Sequence, residues 1–283
     1  MKILDIAKQS LTTLWTNKYL WFFGFFVASV GGSGSSEEQG HASYHATMAP
    51  ADVPIWVWAL LGSAAVLGVA FIILHILSEA ALIRGVADGQ QGEKTTIREG
   101  LRRSRPHFWT LVGQKVVLGL IAVVSVAIIA APVAVAHTTA LPMWLGGTLT
   151  GLLVLVGIPW LLTLYFIYEY AMRFAVLEGY RLRESIRQAR RFLHGRIVTS
   201  IKLTVLSFVG QMGGGLAAVL VAVPAALVGG AVYFAAGTVP ALIVGGVLAA
   251  PFVIAVIGAT GTFRSSVWTL GFIDGHHREL SAA

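Results

Sequence analysis

The sequence predicts an all-α, polytopic membrane protein, and three observations carry that prediction. Apolar residues make up 56% of the 283 positions and charged residues 12%, with a mean hydropathy of +0.78; soluble domains run to roughly 45–50% apolar and about 25% charged. Six apolar stretches recur along the chain, and a helix crossing a hydrocarbon layer of about 30 Å needs about 20 such residues. All 20 Lys and Arg fall on one side when the chain is threaded through six crossings from an inside N-terminus.

In chain order, the first element is an amphipathic helix with Ile3, Ala7, Ser10 and Leu14 on one face and Asp5 and Lys8 on the other. Asp5, Lys8 and Lys18 precede the first apolar run and no A-x-A site follows it, so the segment is expected to be retained and not cleaved as a signal peptide. The six expected spans run from Tyr19 to Gly32, Ile55 to Ile83, Leu111 to Ala136, Trp144 to Tyr168, Leu203 to Ala236 and Ala241 to Trp268. The first is the shortest, with 12 strongly apolar residues from Tyr19 to Val30. The last two form one uncharged run of 61 residues between Lys202 and Arg264, and Gly237-Thr238-Val239-Pro240 supplies a turn between them, with Gly229-Gly230 as the competing turn. Gly147-x-x-x-Gly151 and Gly210-x-x-x-Gly214 are small-residue patterns that let membrane helices approach closely, and Gly213-Gly214-Gly215 is expected to loosen the fifth span.

Charge sets the expected orientation. With the N-terminus inside and six crossings, Lys2, Lys8 and Lys18, the cluster from Arg84 to Lys115, the cluster from Arg173 to Lys202, and Arg264 and Arg278 all lie on one side. The opposite loops, 33–54, 137–143 and 237–240, hold no Lys or Arg. Cytoplasmic loops carry the basic excess, so both termini are expected in the cytoplasm of a cell with this protein in its cytoplasmic membrane. This placement also explains the net charge of +7 without nucleic acid. No cysteine occurs, which removes disulfides and thiolate chemistry together.

The basic clusters are repeated. TTIREGLRRSRPHFW (Thr95 to Trp109) places Ile97, Leu101, Ser104 and Phe108 on one helical face, and RLRESIRQARRFLHG (Arg181 to Gly195) does so with Leu182, Ile186, Ala189 and Leu193. At an offset of 85, Arg98 matches Arg183, Glu99 matches Glu184, Arg102 matches Arg187 and Arg105 matches Arg190. The N-terminal helix is a third copy at an offset of 94, and Asp88-Gly89, Glu178-Gly179 and Asp274-Gly275 mark the inner end of each even span. The chain is therefore expected to be a single integral membrane domain of three units, about 1–89, 90–179 and 180–275, each an amphipathic helix followed by two spans. An even number of spans per unit predicts parallel repeats about an axis along the membrane normal. Helices with Arg on one face and Ile, Leu, Phe and Trp on the other suit the interface, with Arg98, Arg102, Arg103, Arg105, Arg183, Arg187, Arg190 and Arg191 facing anionic headgroups or a cytoplasmic partner. A solvated loop helix explains the charges equally well but not the repeated apolar face. Thr96-x-x-Glu99 is a capping-box pattern that starts the first of these helices.

Candidate chemistry is sparse. Glu79 and Glu169 occupy equivalent inner ends of the second and fourth spans, with Arg84 five and Arg173 four residues later, and His75 lies one turn before Glu79. Ionisable groups at such positions are candidates for a proton or solute site, against which stands a structural ion pair at the interface. The Asp88–Thr95 segment lacks the Gly-Lys pair of a phosphate-binding loop, and His41-x-x-x-His45 lacks a third metal ligand. Neither H-E-x-x-H nor G-x-S-x-G occurs, so no enzyme activity, cofactor or metal is expected.

Three segments also carry a resemblance: Trp15-Thr-Asn-Lys18-Tyr-Leu-Trp21, Arg173-Phe-Ala-Val-Leu-Glu178-Gly179 and Arg183-Glu-Ser-Ile-Arg-Gln-Ala-Arg190. In these the chain resembles uncharacterised bacterial six-span proteins related to the membrane domain that precedes a glycerophosphodiester phosphodiesterase. The resemblance implies a bacterial inner-membrane location and no catalysis, since the catalytic barrel is absent from this sequence. The functional expectation is a non-catalytic membrane protein whose basic helices contact anionic lipid or a cytoplasmic partner. The alternative is a small-solute transporter or channel built around the repeat axis.

Overall fold

The computed structural model describes residues 3–31, 55–93, 96–138 and 142–282. Among these, 93% are helical and none lies in a strand, so backbone polar groups are satisfied within helices, as a hydrocarbon environment demands. The helices are α1 (Ile3–Thr16), α2 (Leu20–Gly31), α3 (Ile55–Gln90), α4 (Ile97–Ser104), α5 (Phe108–Thr138), α6 (Met143–Leu177), α7 (Leu182–Leu193), α8 (Ile197–Ala236) and α9 (Thr238–Ala282), with one 3₁₀ turn, Arg105–His107, between α4 and α5.

Five helices, α3, α5, α6, α8 and α9, are long and apolar enough to cross a membrane. α2 has 12 residues and rises about 18 Å, short of the ~30 Å hydrocarbon layer. Gly32 and the loop 33–54, including His41 and His45, lie outside the described residues, as do Lys2, Lys94 and Thr95 and part of the 137–143 loop. The spans turn large apolar side chains outward: Leu67 is 69% exposed, Leu155 72% and Leu242 71%. A surface of this kind requires lipid around it. Trp56 and Trp58 on α3, Trp144 on α6 and Tyr233 on α8 are exposed near one end of their helices, and Trp15 and Trp109 near the basic end, the placement of interfacial aromatic belts.

The turn between α8 and α9 falls at Gly237, whose φ of +85° permits α9 to start at Thr238 at once. Gly229-Gly230 and Gly213-Gly214-Gly215 both sit inside an uninterrupted α8, so the competing turn is not used. Of the three acidic-glycine pairs, Glu178-Gly179 ends a helix: Gly179 has φ +71°, and the Tyr180 amide donates to the Phe174 carbonyl at 3.4 Å. Gly89 and Gly275 lie within α3 and α9.

The described residues fall into two compact units. The first comprises Arg105–Leu206 and Trp268–Ala283. Here α6 packs on α5 and α7 on α6, closed by an aromatic core in which Phe174, Phe192 and Phe272 meet with ring centroids 4.8–5.7 Å apart. Tyr170 adds an edge contact to Phe192 at 4.9 Å. Gly147 and Gly151 face open space, whereas a Cβ on Gly146 would lie 2.6 Å from the Ala136 Cβ and one on Gly157 would overlap Ile129. The close approach of α5 and α6 therefore uses a glycine pair other than the expected one. Lipid is as apolar as Leu, and a glycine pattern alone does not say which face meets protein.

The second unit comprises Lys2–Ser104 and Ser207–Val267. α2 and α4 both pack on α3. α2 also crosses α9, where a Cβ on Gly24, Gly258 or Gly261 would overlap the facing backbone and the Thr262 hydroxyl donates to the Leu20 carbonyl at 3.0 Å. Gly210 and Gly214 face Phe263 and Thr260 of α9, so this pattern does seat two helices together.

Candidate functional site

Both basic helices form where periodicity places them, and of the residues expected on their apolar faces Ser104, Ala189 and Leu193 are buried while Ile97 is exposed. On α4 the buried residues are Gly100 and Ser104; on α7 they are Ser185, Ala189, Phe192 and Leu193. Ile97 is exposed, and Leu101 and Phe108 are half-buried. On α4 the contact face is made of small residues, which allow close approach to the neighbouring span, whereas on α7 the bulky Phe192 and Leu193 are buried beside Ser185 and Ala189. A Cβ on Gly100 would sit 3.1 Å from the Phe23 ring. Ser185 is held by Gln114 of α5, whose side-chain amide donates to the Ser185 hydroxyl at 2.7 Å and to the Ala171 carbonyl at 3.0 Å. Of the expected capping box, one half is present: the Glu99 amide donates to the Thr96 hydroxyl at 3.4 Å.

The opposite faces are basic and open. Arg98, Arg102, Arg103, Arg105, Arg183, Arg187, Arg190 and Arg191 are all exposed. Arg103 is tied to acidic neighbours, 2.7 Å from Glu99 and 3.4 Å from Asp88, and its carbonyl accepts from Arg84 at 3.4 Å. In α7, Arg187 and Gln188 both donate to Glu184, which holds the Glu184 carboxyl below its ordinary pKa and raises that of Arg187. These acidic partners orient individual arginines without cancelling the basic excess of either helix.

The two carboxylates at the span ends have different partners. Glu169 is 3% exposed, and its side chain pairs with the Arg173 guanidinium at 2.8 Å. The guanidinium lies over the Trp268 indole, 5.7 Å from the ring centroid. Arg173 Nε and Trp268 Nε1 are buried and make no hydrogen bond among the described residues. Beside the pair, the hydroxyls of Tyr170 and Ser200 are 2.9 Å apart. Glu79 faces His75, with Nε2 3.7 Å from the carboxylate, and His75 Nδ1 lies 2.7 Å from the Phe26 carbonyl. A carbonyl only accepts, so Nδ1 carries a proton and the imidazole ties α2 to α3. Sequence spacing indicated the Glu169–Arg173 pair. It gave no sign of Trp268 or Ser200, which arrive from distant segments.

Comparison with protein-family models, with curated proteins and with solved structures returned no match. Among the described residues no three His, Asp or Glu side chains converge as a metal site, and neither Glu79 nor Glu169 lines any of three cavities of about 450–470 Å³, all in the second unit.

Proposed function

We propose that this protein is a non-catalytic, multi-pass protein of the bacterial cytoplasmic membrane, related to the membrane domain named above. In this reading it has six spans, both termini are cytoplasmic, and its basic helices contact anionic headgroups. The observation that carries the reading is the division of labour on α4 and α7. One face of each is buried, through Gly100 and Ser104 on α4 and through Ser185, Ala189, Phe192 and Leu193 on α7, while their arginines are exposed. Near an anionic surface each such residue contributes on the order of 1 kcal/mol. Three repeats of about 90 residues are supported by the burial pattern, since Ile6, Gly100 and Ser185 occupy matching positions and are all buried, as are Ser10, Ser104 and Ala189.

The test is lipid selectivity of the intact protein in reconstituted bilayers, measured with spin-labelled phosphatidylglycerol and phosphatidylcholine. Phosphatidylglycerol should be preferred at low salt, and the preference should fall on adding salt and in a variant with Arg183, Arg187 and Arg190 changed to Gln. Equal association of the two lipids would remove the reading. A solute pathway gains no comparable support: Glu169 is engaged by Arg173, and neither candidate carboxylate opens on a described cavity. A cytoplasmic protein partner for the arginines is the remaining form of the same proposal.

A further inference from the structure

The second unit holds an apolar cavity of about 470 Å³ between α1, the start of α2, α8 and α9, within the ~300–1,000 Å³ range of small-ligand sites. Leu11, Trp15 and Trp21 line it from α1 and α2, Gly213 from α8 and Ala259 from α9, and no ionisable side chain is among the lining residues. Two of its polar atoms are turned to backbone: the Trp21 indole donates to the Leu14 carbonyl at 3.0 Å, and the Thr260 hydroxyl to the Val256 carbonyl at 2.8 Å. The interior therefore suits a hydrocarbon chain. Along the helices from the Gly237 turn, the lining residue Ala255 lies about 27 Å away and Gly210 about 40 Å. With the turn at one membrane surface, a hydrocarbon layer of about 30 Å ends within that interval. The cavity thus straddles the boundary between acyl chains and headgroups on the basic side.

Two cations flank it. Lys8 and Lys18 are exposed and make no ion pair among the described residues. At 3.6 residues per turn Lys8 lies about 20° round α1 from Trp15 and about 60° from Leu11, whereas Asp5, the one carboxylate of that helix, lies about 120° from Leu11. Lys18 sits in the turn that joins α1 to α2, and its carbonyl accepts from the Trp21 amide at 3.1 Å.

We infer that this cavity binds one acyl chain of an anionic glycerophospholipid in the leaflet at the basic ends of the helices, with the phosphodiester outside its mouth on Lys8 and Lys18. Lysine meets a phosphate as a point charge, and its long stem carries the ammonium across apolar surface to reach it. A symmetric contact with a second copy of the chain would instead set these lysines against the same lysines, which charge repulsion opposes. The site goes beyond the electrostatic contact of α4 and α7, because it uses none of their arginines. It rests on the proposed membrane placement only for the depth of the cavity.

Native mass spectrometry of the full chain, released into detergent from bilayers of phosphatidylglycerol, phosphatidylcholine and diacylglycerol, tests it. The expected result is one retained phosphatidylglycerol, with phosphatidylcholine, which has no net charge, and diacylglycerol, which lacks the phosphate, not retained. Changing Lys8 and Lys18 together to Gln should weaken retention by about tenfold or more, the scale of two basic residues lost beside an anionic group. Gly213→Leu should abolish it, since a Cβ at Gly213 meets nothing within 4 Å and the larger side chain fills the cavity without displacing backbone. Gly215→Leu, on the neighbouring cavity, should leave retention unchanged. So should the Arg183, Arg187, Arg190 variant, which separates this site from the lipid preference proposed for α7. Helix content and elution volume monitor folding, and the lysine variant, confined to exposed side chains, keeps the test decisive should Gly213→Leu misfold. Retention equal to the parent in the lysine variant or in a folded Gly213→Leu, or equal retention of either control lipid, would overturn the assignment. A lipid-free dimer that dissociates in Gly213→Leu would also overturn it and give the groove to a second copy of the chain.

Discussion

The C-terminal end of α6 with its helix α7 and the C-terminal end of α3 with its helix α4 are built from matching sequence, yet they are held differently. α7 is anchored by bulk, with Phe192 packed against Tyr170, Phe174 and Phe272, and by Gln114 reaching Ser185. α4 is anchored by close approach, with Gly100 against Phe23 and Ala81. Beneath α7 the carboxylate is neutralised by a buried arginine; beneath α4 its counterpart faces a histidine bonded to a carbonyl of α2. One charge pattern thus tolerates two packing solutions, because the charges point outward and place few demands on what lies beneath.

The largest way to break the first arrangement is Arg173→Met. It strands a buried carboxylate, so a loss of about 3–5 kcal/mol is expected in reversible unfolding in mixed micelles, and adding Glu169→Leu should restore most of it. A double variant as unstable as the single one would show that the pair is not what the core depends on.

A smaller contrast separates the matched positions Ser185 and Gly100. Ser185→Ala leaves Gln114 without its hydroxyl partner, and about 1–2 kcal/mol should be lost. Gly100→Ala should fall within about 1 kcal/mol of the parent, because the gain in helix propensity is offset by the tight contact with Phe23. Equal costs at the two sites in the same unfolding assay would erase the distinction drawn between α4 and α7.

The smallest effect concerns pH. Glu184 has a depressed pKa in the folded protein, first through its hydrogen bond from Arg187. Its contribution is therefore present above the ordinary carboxylate range and is lost as pH falls through the lowered value. In Arg187→Gln, carboxyl NMR should show Glu184 titrating at a higher pH than in the parent. An unchanged midpoint would mean that the ion pair does not form in solution.

The long helices were legible because uninterrupted apolar runs have no other stable form in lipid, and α4 and α7 because polar and apolar residues alternate with helical period. Which face of each is buried was not legible. For an interfacial helix lipid and protein are both apolar surroundings, so the face of Ile97, Leu101, Ser104 and Phe108 does not say which of its members meet protein, and Ser104 is buried while Ile97 is exposed. The same ambiguity misled Gly147 and Gly151. The Glu169–Arg173 pair was readable from its i,i+4 spacing, whereas its cover by Trp268 depends on tertiary packing that no local pattern encodes. The cavity between α8 and α9 is likewise invisible in sequence, since Gln211 and Arg264 come to line it only after the hairpin closes.

That hairpin also bears on biosynthesis. Between Lys202 and Arg264 nothing is charged, and the connection is a single glycine. Inserting α8 and α9 together therefore requires moving only one small turn through the hydrocarbon, with no hydrated loop to strip. The pair can enter a bilayer as one object, already folded back on itself.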